Sequence, residues 1–142
     1  MITTISEKWY QKLKRAGFVF PLCEEGAYPG KHLFFRFQEW VVGENTDSIP
    51  PQVLSEGTWV PTITELLEWL EYCGFVYSIS FGYADDGLNE YTCAALDVET
   101  GTRFDATSFM MPHAIAKVIL KILKSGEREY LPQPVTAKII ED

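Results

Sequence analysis

The sequence predicts an α+β protein, an antiparallel sheet packed against helices, in the order α-β-β-(loop)-α-β-β-β-α with a candidate C-terminal edge strand. Three observations carry this prediction. Thr62 and Glu65 have the three-residue spacing of a capping box and lead into a helical stripe of Ile63, Leu66, Leu67 and Leu70. From Phe75 to Tyr83, large residues alternate with Val76, Ser78, Ser80 and Gly82, the two-residue period of a strand. A second helical stripe of Ile115, Val118, Ile119, Ile122 and Leu123 follows, with Lys117, Lys121 and Lys124 on its wet side.

The remaining elements follow in chain order. Ser6 caps a first helix over 7–16, with Trp9, Leu13 and Ala16 on one side and Gly17 as its stop. Phe18 to Pro21 reads as a short strand, Cys23 to Lys31 as a loop, and His32 to Val42 as one long aromatic strand. Residues 44–58 read as a linker rich in turn formers. Trp59 to Thr62 leads into the second helix, which Gly74 ends as a left-handed cap. The five large side chains of 75–83 are expected to form the core wall, each contributing roughly 1.5–3 kcal/mol on burial. Asp85 to Asn89 is a turn, Tyr91 to Val98 the return strand, and Thr102 to Thr107 a third strand. Pro112 sits in the first turn of the last helix and Gly126 closes it. Residues 1–43 thus read as an N-terminal helix–hairpin unit, 59–126 as an αβββα unit and 127–142 as a tail or edge strand. Helix, glycine stop and aromatic segment recur at Leu13, Gly17 and Phe18 and again at Leu70, Gly74 and Phe75, as a duplicated helix–hairpin unit would.

Composition sets the expected surroundings. No apolar run reaches the ~18–20 residues needed to span a bilayer, and Met1 to Thr4 has no signal-peptide character. Cys23, Cys73 and Cys93 are odd in number and widely spaced, which reads as reduced thiols in a cytoplasmic protein. Net charge is −8, unevenly placed: residues 37–99 hold twelve acidic side chains and no lysine or arginine. That segment is a candidate surface for a basic partner.

No catalytic, cofactor or metal motif stands out. His32 and His113 have no second ligand at helical spacing, and the acidic turn Asp85-Asp86-Gly87-Leu88-Asn89-Glu90 lacks the alternating oxygens of a calcium loop. A pocket joining Cys93 and His113 is the enzymatic alternative. The expected function is a small non-enzymatic binding or accessory protein with an acidic central surface. Its candidate partner-binding residues are Glu65, Glu68, Glu71, Asp85, Asp86, Trp40 and Trp59. A second binding alternative is an inhibitor or immunity-type protein that presents these carboxylates to a basic enzyme. Self-association through an uncovered aromatic face or the C-terminal strand stays open.

Two resemblances bear on this reading. Helix, three antiparallel strands and helix, with His113-Ala114-Ile115-Ala116-Lys117 opening the last helix, resembles the double-stranded-RNA-binding domain. The lysine pair of that family is absent and the preceding stretch is acidic, so the resemblance implies topology and no nucleic-acid partner. Trp59-Val60-Pro61-Thr62, Leu66, Leu67, Trp69-Leu70, the aromatic hairpin and the Ala/Ile/Leu helix resemble small proteins of phages and mobile elements of Bacteroides-type bacteria. That resemblance covers 59–126 and implies an origin, with no catalytic residue.

Overall fold

The chain was analysed as a computed structural model, which describes residues 4–19, 32–35, 38–41, 52 and 58–130. Helix α1 (Glu7–Arg15) starts where Ser6 Oγ accepts the Trp9 N–H at 3.3 Å, and it ends before Gly17 at φ 103°. Three short strands follow: β1 (His32–Phe35), β2 (Gln38–Val41) and β3 (Thr58–Val60). They form one antiparallel sheet in the order β2-β1-β3. Helix α2 (Ile63–Tyr72) has the full capping box: Thr62 Oγ1 accepts from Glu65 N at 3.2 Å, and Glu65 Oε1 accepts from Thr62 N at 3.3 Å. Gly74 at φ 86° then turns the chain into β4 (Phe75–Tyr83), a conformation that costs a glycine least. β5 (Asn89–Asp97), β6 (Arg103–Ser108) and α3 (Met111–Ser125) complete the αβββα unit, whose sheet runs β4-β5-β6, antiparallel throughout.

Three expectations are corrected. Phe18 and Val19 are not strand residues: Phe18 is buried, with its ring 5.7 Å from that of Trp69. The apolar content that suggested a strand serves instead to seat the end of α1 on α2. The aromatic run from His32 is not one strand but two antiparallel ones, with Phe35 opposite Gln38. Period-two alternation looks the same on either side of a tight reversal, so the pattern alone did not show the turn. Trp59 and Val60 do not belong to the approach to the helix; they lie in β3, which pairs with β1 and leaves Thr62 bridged to Thr4. Phe20 to Lys31, the bulk of the 44–58 linker, and the candidate strand 135–140 lie outside the described residues.

The core lies between the β4-β5-β6 sheet and the helices. α3 is its centre: Ala114, Ile115, Ala116, Val118, Ile119 and Ile122 are all buried, more of its circumference than the single predicted stripe. The added coverage comes from α1 and α2, which both pack against α3, with Tyr10 and Leu13 of α1 and Leu66, Trp69 and Leu70 of α2 buried in the same core. Small residues permit the close approach. Cys93, Ala95 and Ala106 are buried beneath α3, and larger side chains there would hold helix and sheet apart.

One end of the sheet is locked by charge. Asp97 is completely buried at the end of β5, and Arg128 bridges it through Nε at 2.9 Å and Nη2 at 3.2 Å. Arg128 Nη2 also donates to the carbonyl of Cys73, the C-cap of α2, and its guanidinium lies 4.5 Å from the Tyr130 ring centre. Burial pushes the Asp97 carboxyl up, but the Arg128 and Glu99 N–H bonds outweigh it and hold the group below its ordinary 3.8. Strand end, helix end and the segment after α3 are thereby held together by one arginine.

Candidate interaction surface

The surface is set by how β4 divides its hydrogen bonds. Ala84 N–H donates to the Leu88 carbonyl beyond one end of the β4–β5 ladder, and Val98 N–H to the Gly74 carbonyl beyond the other. Antiparallel ladders alternate, so Val76, Ser78, Ser80 and Gly82 bond to β5. Phe75, Tyr77, Ile79, Phe81 and Tyr83 therefore turn their N–H and C=O groups to the outer edge. Among the described residues no strand pairs with that edge. It is nine residues long and has no charged side chain and no proline, the devices that usually protect an edge strand.

The side chains of the same five residues project toward the helices, but the helices do not reach the whole row. Phe75 is buried, and Tyr77 and Ile79 are half-buried against the core. Phe81 is 54 % exposed and Tyr83 73 %. The expected core wall is thus only partly one: its first three members pack and its last two face water, because the sheet extends past the ends of the helices. Phe81 gathers the exposed end into a cluster, with ring centroids 5.7 Å from Tyr83 and 5.0 Å from Tyr91. Leu88 in the hairpin turn and Phe109 after β6 are exposed as well, and together they line a depression of ≈ 310 Å³ with Gly87 and Asn89.

The sequence-predicted residues divide between two places. Asp85 and Asp86 sit in the turn beyond Tyr83, where Asp86 Oδ1 accepts the Leu88 N–H at 3.0 Å. Glu71 lies by the opposite half of β4, accepting the Tyr77 hydroxyl at 3.0 Å. Burial and that bond both raise the Tyr77 phenol above its ordinary value. Tyr77 and Tyr83 are about 20 Å apart along the strand at roughly 3.3 Å per residue, so Glu71 is not brought to the turn carboxylates. Glu65 is occupied with the cap of α2, and Glu68 is half-buried. Trp40 and Trp59 stand opposite Leu33 in β2 and β3, in the separate three-stranded sheet.

Cys93 and His113 have different surroundings. Cys93 lies in the middle strand opposite Ile79 and Ala106, and burial pushes its thiol up to about 11. Cys73 is likewise pushed up, to about 12. Both are therefore neutral thiols near neutral pH, a poor state for a nucleophile. His113 Nε2 accepts the Ser6 N–H at 3.4 Å, and its ring lies 6.0 Å from that of Trp9. Burial and the nearby Lys117 lower its pKa. Among the described residues no group of three or more His, Cys, Asp or Glu side chains is placed to hold a metal ion.

Sequence reasoning missed that β4 lies at an edge of its sheet, although the uncharged run from Phe75 to Tyr83 was present. Fold and surface together define an α+β protein with an edge strand that is unpaired among the described residues and ends in an exposed aromatic cluster. No family model, curated protein or solved structure matches the chain.

Proposed function

We propose that this chain is a small non-enzymatic binding or accessory protein, of phage or mobile-element origin, that engages a basic protein partner. The observation that carries the reading is a pair of exposed apolar sets at one end of the sheet, Phe81 with Tyr83 in ring contact and Leu88 with Phe109 lining one depression, beside Asp85, Asp86 and Glu90. Water-facing apolar side chains gathered in one place and rimmed by charge are the usual mark of a contact surface. The rim here is acidic, which favours a basic partner over nucleic acid. The origin rests on the resemblance of residues 59–126. Two buried free cysteines fit a reducing, cytoplasmic setting. Neutral thiols and a histidine held by Ser6 support a binding role over a Cys–His reaction.

The test is affinity capture from the native cells with the immobilised chain, beside the exposed-surface variant Phe81→Lys/Phe109→Lys. The wild type is expected to retain a partner at about 0.15 M salt and to release it as salt rises, and the variant to retain none. Equal retention by both, or none by the wild type, overturns the reading.

A further inference from the structure

We infer that the outer edge of β4 takes up an extended polypeptide segment, apolar on alternate residues and basic between them, as a fourth strand of the sheet. The inference rests on the binding reading above and specifies its geometry.

The other edge of the sheet shows what β4 lacks. On β6 the outward carbonyls are those of Arg103, Asp105 and Thr107, and the last two are occupied from α3. Lys121 Nζ donates to Asp105 O at 2.6 Å and Lys117 Nζ to Thr107 O at 3.0 Å. Arg103 and Asp105 add exposed charge along the same strand. Among the described residues no side chain donates to the outward carbonyls of β4 in this way. Its outward N–H and C=O groups at Tyr77, Ile79, Phe81 and Tyr83, unpaired among the described residues, are a template for a strand of about eight residues.

The same parity sets the chemistry of the occupant. A residue bonded to Ile79 or Phe81 in an antiparallel ladder projects its side chain to the helix face, abreast of the ringed row. Phe81 and Tyr83 are exposed there, so these positions of the incoming strand are apolar. The intervening residues fall on the open face. There Glu90 stands directly opposite Gly82, which puts no side chain between that carboxylate and the edge. Asp85 and Asp86 flank the Tyr83 end of the edge. Basic side chains meet opposite charge at each of these points. A second copy of this chain does not fit as well. A second copy's β4 carries no basic side chain to set against Glu90, Asp85 and Asp86.

The test uses a capped eight-residue peptide alternating lysine and valine, titrated into the full chain and followed by calorimetry and amide hydrogen exchange. Binding is expected together with slowed exchange at Tyr77, Ile79 and Phe81. N-methylation of the valine amides, which face β4 when the valines lie on the helix face, is expected to weaken binding at least tenfold. Methylation of the lysine amides, on the far edge, is expected to leave it within about twofold. Phe81→Pro removes one outward N–H and no bond to β5, and is expected to weaken binding at least tenfold. Should Phe81→Pro fail to fold, the two methylated peptides decide alone. Equal binding by both methylated peptides overturns the ladder. Concentration-dependent protection of β4 without peptide overturns the choice of partner in favour of a second copy. If no peptide binds while cellular capture still depends on Phe81 and Phe109, the edge inference falls and the binding reading stands. If capture fails too, both fall.

Discussion

The two edges of the β4-β5-β6 sheet belong to one antiparallel ladder and are finished in opposite ways. β6 is six residues long, bears Arg103 and Asp105, and has two carbonyls occupied by lysines of α3. β4 is nine residues long, uncharged, and runs on past the helices until Phe81 and Tyr83 face water. The ends of the sheet differ in the same sense. At the Phe75 end, Arg128 ties Asp97, the Cys73 carbonyl and Tyr130 into one buried knot. At the Tyr83 end there is a turn with exposed aromatic and apolar side chains around it. The difference teaches that this molecule concentrates its stability on one corner of the sheet and leaves the opposite corner unfinished. Unpaired backbone and uncovered rings in a folded protein are costly to keep soluble unless something pairs and covers them.

The comparison can be broken most forcefully at the locked end. Arg128→Ala leaves a fully buried carboxylate without its partner and is expected to cost about 3–5 kcal/mol in urea unfolding. A loss below about 1 kcal/mol would mean the knot is not what holds that corner. The pH dependence has a definite sign. Asp97 is held below its ordinary 3.8 in the folded chain, so its contribution is full above that value and is lost as pH falls through the lower folded pKa. His113 is also lowered, below 6.5, so the folded chain favours its neutral form. Its contribution is present above pH 6.5 and declines as pH falls through its folded pKa. Thermal melts in steps from pH 8 to 3 should therefore show two separate declines. His113→Gln is expected to flatten the upper one, and Arg128→Ala the lower.

An intermediate effect is expected on the protected edge. Lys117→Met with Lys121→Met removes both bonds to β6 carbonyls, costs about 1 kcal/mol, and exposes a second unprotected strand. Light scattering should then show association that the wild type lacks at the same concentration. The smallest effect belongs to the open corner. Phe81→Lys, at an exposed position, is expected to change stability by no more than about 0.5 kcal/mol while abolishing peptide binding. A large destabilisation would mean that Phe81 belongs to the core after all.

Where local chemistry decides the outcome, the sequence was sufficient. Thr62 and Glu65 form the predicted capping box, and Gly74 and Gly126 adopt the positive φ expected of helix ends. The strands over 75–83, 89–97 and 103–108 fall within one or two residues of their expected bounds. These signals concern neighbours in the chain. The misread elements were those whose state depends on distant partners. Phe18 looked like a strand residue until Trp69 offered it a place in the core, and Trp59 joined β3 because β1 lay beside it. The site was legible in part. Alternation predicted which face the rings of β4 occupy, but not that the helices stop short of Phe81. Lys117 and Lys121 read as a wet helix face because their acceptors are main-chain carbonyls, which no residue pattern marks.

Residue order by itself determined the helices, the hairpin β4–β5, the acidic segment and the alternation of β4, since each follows from periodicity, capping or charge along the chain. Tertiary structure alone decided which edge of the sheet is occupied, where Asp97 meets Arg128, and which rings remain in water. The physical reason is reach: burial and hydrogen-bond pairing depend on what lies across a gap of a few ångströms, and a sequence records only what lies next along the backbone.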